Sequence, residues 1–402
     1  MKLTGFLFAA ALLGACTQAA EENYTRHVDP KIGTGGHGHV FVGANVPFGL
    51  VQVGPTSIPQ TWDWCSGYHA SDSTVIGFSH THLSGTGIGD LFDVTVMPVT
   101  GDVTYARGEE ADPASGLWSY ADRTQEIARP GYYSVPLTRY GIRAELTATA
   151  RVGLHRYTFP ASDAAAVVFD LENGGCWDKA TETHLAKEGD RTVTGWRHST
   201  GWAKDQRVYF VAEFSKPFEK FETIGDNYAR ASFRTTDGEQ VSLKVALSPV
   251  SIEGAKANLA AELPGWDFDA TAAAADKAWN DELSKVKIET EDETSKRIFY
   301  TALYHTMVAP SLFCDVNGDY RGADGKVHEN PGRDTYTTFS LWDTYRAAMP
   351  LMTVLHPERM PDIIQTMLHI SDEQGRLPVW HLWGNETDCM VGNPGIVAVA
   401  DA

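Results

Sequence analysis

Carboxylate, amide and tryptophan side chains are concentrated in the last part of the 402-residue sequence. A pyranose ring presents an apolar face that stacks on an aromatic ring, and its hydroxyls hydrogen-bond to amides and carboxylates. This combination of residue types therefore predicts a sugar site. The alternative is that Asp343 and Arg346 form an ion pair on one helix face and that the tryptophans belong to the core. The members of this group are Trp342, Asp343, Arg346, Trp380, His381, Trp383, Asn385, Glu386 and Asp388.

Two apolar patterns of helical period flank and position this group. Pro357 and Pro361 separate the two patterns and restart the chain for the second helix. Helices of this length joined by a short loop are expected to pack antiparallel. The first pattern comprises Leu341, Tyr345, Ala348, Leu351 and Leu355, and the second comprises Ile363, Met367 and Ile370.

A second set of candidate residues lies in the polar and aromatic segment 61–93. Binding residues collect in loops that a rigid scaffold positions. We therefore expect this segment to reach across to the C-terminal group, although a self-packed surface loop is the alternative. Its candidate substrate-binding residues are Trp62, Trp64, His80 and His82, together with the turn Ser84-Gly85-Thr86-Gly87.

The sequence from about residue 24 to 260 has the pattern of short strands. Repeated strands without intervening helical patterns favour an antiparallel β-sandwich. Around residue 263 the composition shifts to helix formers, which predicts helices at 271–283 and 294–312, and strands are not expected to return. The clearest predicted strands are 131–136, 142–157, 166–170, 208–214 and 241–249.

The formal net charge of −19 argues against a nucleic-acid partner, because the phosphate backbone would be repelled. Residues 1–15 combine Lys2 with an apolar run of secretory length. The following Leu13-Gly14-Ala15-Cys16 resembles a bacterial lipobox, which predicts lipidation of Cys16. The predicted location is the bacterial cell envelope with a lipid anchor; a plain secretory signal cleaved near Ala19 or Ala20 is the alternative.

Several motifs match cofactor-binding patterns but lack the neighbouring residues that those patterns require. Residues 33–38 satisfy GxGxxG, but no helix pattern follows, so tight turns are the better interpretation. The pairs His37 and His39, and His80 and His82, lack an evident third metal ligand.

Two further patterns also fail as metal motifs. Residues 315–319 imitate a calcium loop, but Tyr320 and Lys326 stand where glycine and glutamate are required. The remaining cysteines fit no zinc motif, and their pairing cannot be read from the sequence. They are Cys65, Cys176, Cys314 and Cys389.

Several long motifs together resemble those of glycoside hydrolase family 92, the calcium-dependent exo-acting α-mannosidases of bacterial lipoprotein and secreted systems. The motifs occur from residue 28 onward. They are VDPKIGTGGHGHVFVGANVPFGLVQVGP (28–55), WDWCSGYH (62–69), IGFSHTHLSGTGIGD (76–90), DYRGADGKVHE (319–329), SLWDTYRAAMPL (340–351) and GRLPVWHLWGNETDCMVG (375–392).

The resemblance implies a multidomain α and β fold: a β-sandwich at 16–262, a helical linker at 263–292, and from 293 to 402 the first part of an (α/α)6 toroid. It also implies inverting chemistry with one carboxylic acid and one carboxylate, together with Ca²⁺ at the sugar hydroxyls. The general acid, the general base and most calcium ligands are expected beyond Ala402, so Asp343, Arg346 and Glu386 are interpreted as subsite residues that hold the sugar. Asn393 and Pro394 begin a helix in which the chain stops, and we therefore expect a fragment.

Two functions follow from these observations. The first is an exo-α-mannosidase that removes terminal mannose, with α-1,2-linked ends of N-glycans as the expected substrate. The second is a non-catalytic, glycan-binding surface lipoprotein.

Overall fold

The computed structural model describes residues 22–112 and 114–402. The predicted signal peptide and Cys16 lie outside the described residues, so both stay predictions. Within the described part, no helix is both long enough and apolar enough to cross a membrane.

Two antiparallel sheets form the N-terminal part of the chain. In spatial order, the eight-stranded sheet comprises Lys179–Glu188, Thr192–Thr200, Gln206–Phe214, Glu239–Ser248, Val152–Phe159, Ile142–Ala148, Tyr132–Leu137 and Ile127–Arg129. The six-stranded sheet comprises Gly54–Thr56, Gly77–Ser79, Thr95–Thr100, Ser162–Asp170, Tyr228–Thr235 and Lys220–Ile224. A small accessory pair comprises Thr74–Val75 and Ser119–Tyr120.

The two sheets pack face to face through aromatic side chains. The ring centroids of Phe169 and Phe210, one from each sheet, are 6.2 Å apart, and those of Phe159 and Phe233 are 5.5 Å apart. Inward residues of both sheets share one buried core. The predicted antiparallel sandwich is therefore confirmed.

The strand predicted at 142–157 is two strands joined by a turn. The chain reverses after Ala148, where the Thr149 backbone N–H donates to the Val152 carbonyl at 2.9 Å. Arg151 in this turn pairs with Glu262, with Nη1 and Oε1 2.8 Å apart. Local composition did not reveal the turn, because the residues on both sides of it favour strands.

The described residues contain seven α-helices. The first of them begins at Ile252, before the composition shift near residue 263, and packs on the outer face of the eight-stranded sheet. The Ser251 side chain caps this helix by accepting a hydrogen bond from the Gly254 N–H at 3.0 Å. The helices are α1 (Ile252–Glu262), α2 (Phe268–Leu283), α3 (Glu293–His305), α4 (Leu341–Thr344), α5 (Ala348–Leu355), α6 (Met360–Gln374) and α7 (Pro394–Asp401).

The structure corrects two helix predictions. Helix α3 ends at His305 instead of Leu312, and the single helix expected across 341–355 is divided into α4 and α5. Pro350 accounts for the division, because a proline removes the helical hydrogen bond to the carbonyl four residues earlier and clashes with it.

Strands also return after the sandwich, contrary to the prediction. They are short and form the connections between helices. They are Ser311–Leu312 with Tyr336–Thr337, Tyr320–Arg321 with Val327–His328, and Phe339–Ser340 with Trp380–Leu382 and Asn385–Glu386.

Buried polar contacts join the sandwich to the helices. Asp315 accepts hydrogen bonds from Ser248 Oγ at 2.8 Å and from Asn258 Nδ2 at 2.7 Å. Burial raises the pKa of Asp315 to about 6. Trp279 Nε1 of α2 donates to the backbone carbonyl of Asn45 at 2.7 Å. Asp315, the first carboxylate of the rejected calcium loop, thus belongs to this junction.

Candidate functional site

A cavity of about 320 Å³ lies between a turn of the sandwich and the first helical segments. Residues far apart in the chain line it, so it exists only in the folded molecule. The lining residues are Ser84, Gly85, Thr86, His305, Thr306, Ala309, Pro310, Thr338, Phe339, Ser340, Asp343, Thr344, Ala348, Met349, Met352 and Trp380.

The sandwich side of the cavity is the turn Ser84-Gly85-Thr86. Gly85 has a φ of 72°, a conformation that glycine adopts without strain. Its N–H donates to the His39 carbonyl at 2.8 Å, and Ser84 Oγ accepts from the Phe41 N–H at 3.2 Å. The prediction that this turn meets the C-terminal group is confirmed, since Asp343 and Trp380 line the same cavity.

Asp343 is the only carboxylate among the described residues that line the cavity. It lies in the first turn of α4, and its Oδ2 accepts a hydrogen bond from Ser340 Oγ at 2.6 Å. This bond replaces the helix pair with Arg346 that was the alternative interpretation. Arg346 is exposed on the turn after α4 and does not line the cavity.

Two polar atoms on the lining residues make no hydrogen bond to any described residue. They are Thr86 Oγ1 and His305 Nε2. Burial lowers the pKa of His305 to about 4, so the imidazole is neutral near pH 7. Thr338, which also lines the cavity, has a φ of 64°, a strained conformation that recurs at functional sites. Both atoms are buried, so they lie behind the cavity surface, and Asp343 is the polar group that the lining exposes.

Trp62 and Trp64 lie on the sandwich side beside this turn. Trp62 is 47% exposed, and its Nε1 donates to the Gly87 carbonyl at 2.8 Å. Trp64 stacks on His69 with centroids 4.3 Å apart, and its Nε1 donates to Asp72 Oδ2 at 2.7 Å. Trp62 thus offers an open face near the cavity, whereas Trp64 is partly covered. Sugar contact stays a prediction for both.

His80 and His82 are buried inside the sandwich. Nδ1 of His80 lies 2.6 Å from the Val94 carbonyl, and its Nε2 shares a hydrogen bond of 2.9 Å with His155. Nδ1 of His82 lies 2.8 Å from the Gln52 carbonyl. Burial lowers the pKa of His80 to about 3 and that of His82 to about 4. These histidines therefore belong to the interior of the sandwich and do not make the predicted contact with a sugar.

Trp383, Asn385 and Glu386 make structural contacts. Trp383 is 1% exposed and packs against Phe313. Asn385 Nδ2 donates to the backbone carbonyl of Asp205 at 3.0 Å, which ties this segment to the sandwich. Glu386 accepts the N–H of Val379 at 2.8 Å and that of Trp380 at 3.1 Å. These contacts hold Trp380 in the cavity wall. Trp383 is too buried for the predicted sugar contact, which stays a prediction for the half-buried Asn385 and Glu386.

The other sequence motifs have structural roles. Gly33 and Gly36 have positive φ values of 90° and 57°, which confirms the interpretation of residues 33–38 as turns. His37 Nδ1 and His39 Nε2 lie 2.6 and 3.4 Å from Oδ1 of Asp63. The four cysteines at 65, 176, 314 and 389 are free in the described structure.

Sequence reasoning missed the cavity residues His305, Thr338 and Met349. His305 ends an ordinary amphipathic helix, and nothing in its local spacing distinguishes it from a core residue. It also missed Trp202 of the sandwich, whose ring centroid lies 5.0 Å from that of Trp380. Local spacing gave no signal for these residues.

Most of the calcium ligands are expected beyond Ala402, so the calcium requirement stays a prediction. Calcium takes about six to eight oxygen ligands, whereas the cavity lining offers one carboxylate. Glu282, His356 and Glu358 are grouped closely enough to share a metal ion. However, the Lys285 ammonium lies 2.7 Å from both Glu282 Oε2 and Glu358 Oε1 and supplies the positive charge there.

The acid and base pair of an inverting glycosidase stands about 6.5–9.5 Å apart. With Asp343 as its single carboxylate, the described lining cannot hold such a pair. The general acid and base therefore stay unassigned in this chain.

A β-sandwich packed against helical segments, with a cavity between the two parts, is the arrangement found here. Residues 27–248 match the model of the glycosyl hydrolase family 92 N-terminal domain, and residues 254–402 match the model of the catalytic domain of that family. The chain therefore belongs to glycoside hydrolase family 92.

Solved structures and a curated protein agree with this assignment. A family GH92 α-mannosidase from Bacteroides thetaiotaomicron has a TM-score of 0.90 and 36% identity, over 94% of this chain and 54% of that chain. An inverting GH92 mannosidase from the same organism has a TM-score of 0.82 and 27% identity, over 94% of this chain and 52% of that chain. An uncharacterized secreted glycosidase of Arthroderma benhamiae is 26% identical over 391 residues, or 86% of this chain and 48% of that protein. The chain thus spans about half the length of these relatives.

Proposed function

We propose that the complete protein encoded with this chain is an exo-acting, inverting α-mannosidase that removes terminal mannose, α-1,2-linked in particular, from N-glycans or other mannosides. The cavity between residues 84–86 and Asp343 is the observation that carries this proposal. It supplies a carboxylate, hydroxyl side chains and a tryptophan around a volume of about 320 Å³.

The relatives support the proposed substrate class. One of the solved structures similar to this chain is a GH92 α-mannosidase in complex with mannoimidazole. In our proposal, Asp343 accepts hydrogen bonds from sugar hydroxyls, and Trp380, which is 2% exposed, forms part of the cavity wall. The proposed fold of the complete protein continues α3 to α7 into an (α/α)6 toroid.

The test is hydrolysis by the complete protein. Incubation with an aryl α-mannoside and with α-1,2-linked mannobiose is expected to release mannose, and proton NMR at early times is expected to show the β-anomer first. The same incubation with the matching β-mannoside is the control. Initial release of the α-anomer would contradict the inverting mechanism.

The second candidate function, a non-catalytic glycan-binding lipoprotein, predicts binding without turnover. Isothermal calorimetry with mannobiose separates the two functions. Saturable binding with no mannose released would favour the binding protein, and neither binding nor release would reject both.

We further propose that calcium is required by the complete protein, with most of its ligands outside the described residues. Exhaustive treatment with EGTA is expected to abolish turnover, and added Ca²⁺ is expected to restore it, whereas Mg²⁺ should not. Undiminished turnover in EGTA would remove calcium from the proposal.

A further inference from the structure

Exposed tryptophans are confined to a few places in this chain. Of the eleven tryptophans, Trp62, Trp177 and Trp342 are the most exposed, at 47, 46 and 42%. Trp342 adjoins Asp343 of the cavity. Large exposed aromatic side chains that gather beside a cavity mark a binding surface. Trp177 has no place in the site described so far.

The rings of Trp62 and Trp177 pack against the same short segment, residues 86–89, which begins at the cavity. Thr86 lines the cavity, and the Trp62 ring lies against Gly87, where an added Cβ would come within 2.4 Å of it. The Trp177 ring lies against Gly89, where an added Cβ would come within 3.1 Å of it. Gly87 and Gly89 are two residues apart, so their Cα atoms are at most about 7 Å apart.

Backbone and side-chain contacts on both sides of Trp177 hold the loop that carries it. The Trp177 N–H donates to the Gly89 carbonyl at 2.9 Å, and Cys176 Sγ lies 3.8 Å from the carbonyl of Thr61, the residue before Trp62. The next residue, Asp178, pairs with the fully buried Arg197, with Oδ2 and Nη1 2.7 Å apart. An exposed ring on a firmly held loop is preorganised for a ligand.

Hydrogen-bonding groups lie near the loop that carries this ring. A second, polar cavity of about 510 Å³ is lined by Cys176 and Asp178, the chain neighbours of Trp177, whereas Trp177 itself does not line it. A sugar needs both an aromatic face and such groups. The charged and amide side chains that line it are Arg107, Glu172, Asn173, Asp178, Lys179 and Asn227.

We propose that Trp177 forms a distal subsite for the leaving group of an oligosaccharide substrate, beyond Trp62 and outside the cavity. In this proposal the terminal sugar binds in the cavity beside Thr86, the next sugar near Trp62, which packs on Gly87, and a third sugar on Trp177, which packs on Gly89. The substrate class is an α-mannoside whose leaving group contains at least two sugars. This inference rests on the proposed function.

The test compares three substrates with the complete protein: an aryl α-mannoside, α-linked mannobiose and α-linked mannotriose. Trp177→Ala is expected to lower kcat/KM for mannotriose about tenfold and to leave the values for the other two unchanged. Trp177→Phe keeps an aromatic face and is expected to restore most of the loss. Trp62→Ala is expected to affect mannobiose and mannotriose alike.

Trp196→Ala is the matched control, because Trp196 packs against His184 on the solvent face of the sandwich and lines neither cavity. An equal effect of Trp177→Ala on all three substrates, or no effect on mannotriose, would overturn the distal subsite. If the wild-type protein turns over none of the three, the proposed function fails, and calorimetry with mannotriose then decides the subsite. Binding that Trp177→Ala weakens about tenfold supports it, and binding that Trp177→Ala leaves unchanged, or no binding, overturns it.

Discussion

The ring centroid of Trp202 lies 5.0 Å from that of Trp380, with the ring planes inclined by 58°. Trp202 belongs to the sandwich, and its N–H donates to Oδ1 of the buried Asp90 at 3.0 Å. Trp380 belongs to a short strand of the helical part and lines the cavity. The contact therefore fixes Trp380, a residue of the cavity wall, relative to the sandwich.

Replacing Trp202 with alanine should weaken both the fold and the site. We expect the free energy of unfolding to fall by about 2 kcal/mol, because an aromatic contact and its buried area are lost. Without this contact Trp380 can move out of position, which should lower kcat/KM on an aryl α-mannoside about tenfold. Urea unfolding and initial rates measure the two effects. Trp196→Ala should reduce stability alone, and unchanged kinetics of Trp202→Ala would show that Trp380 is held without it.

Asp343→Asn should abolish most of the activity without affecting the fold. Asp343 is exposed, and amide and carboxylate have nearly the same shape, so the thermal midpoint should stay within about 1 °C. The loss of a charged acceptor for sugar hydroxyls should lower kcat/KM about 100-fold. Ser340→Ala removes the hydroxyl that orients Asp343 and should cost less, about tenfold. Asp362→Asn on α6 is the control, and wild-type rates in Asp343→Asn would remove Asp343 from the site.

Glu386→Gln should act through the backbone. One carboxylate oxygen accepts the N–H of Val379 and the other accepts that of Trp380. Glutamine keeps only one acceptor oxygen, because its amide nitrogen cannot accept a hydrogen bond, so one of the two bonds is lost. We expect a loss of about 1–3 kcal/mol in the free energy of unfolding, with a parallel drop in activity. The pH profile of the residual activity should match that of the wild type. A displaced acidic limb would instead assign Glu386 a proton-transfer role.

The Glu282 cluster should make stability depend on pH. Burial raises the pKa of Glu282, but hydrogen bonds from His356 and Lys285 outweigh it and lower the value from 4.5 to about 2. Arg359 Nη2 lies 3.4 Å from Glu282 Oε1 and adds to this field, and Glu358 faces the same lysine. Because the folded pKa is lower than the unfolded one, the stabilisation is complete above about pH 5 and disappears as the pH falls from 4.5 towards 2.

Glu282→Gln should therefore reduce the free energy of unfolding by about 2 kcal/mol at pH 7, and the difference from wild type should shrink below about pH 4.5. Urea unfolding between pH 3 and 7 measures this. The adjacent Asp281→Asn is the control, because its exposed pair with Lys277 contributes less than about 1 kcal/mol. A difference that grows as the pH falls would contradict the assignment.

Cys16→Ser should release the protein from membranes in a bacterial host. The motif Leu13-Gly14-Ala15-Cys16 follows an apolar leader, and Thr17 is not an aspartate that would retain the protein at the inner membrane. Membrane fractionation and labelling with a radioactive fatty acid measure the anchor. Cys389→Ser, which alters an exposed cysteine elsewhere, should change neither. Persistent membrane association of Cys16→Ser would exclude lipidation of this cysteine.

The sequence by itself determined the antiparallel sandwich, the change to helices and the family, because periods of 2 and 3.6 residues and long motifs are local signals. It led us to expect that the segment containing residues 84–86 reaches the C-terminal group, and the structure decided between this and a self-packed loop. It could not show that Pro350 divides the helix at 341–355, since apolar spacing continues across the break.

Only the tertiary structure decided which candidate side chains face the cavity. His80 and Trp383 are residue types that bind sugars elsewhere, but both are buried in the protein interior, and His80 also contacts a backbone carbonyl. Conversely, Trp177 lies far along the chain from Gly89, and only the packing of two sandwich loops brings them together. Contacts between distant segments depend on the packing of the whole core, and residue spacing within one segment carries no information about them.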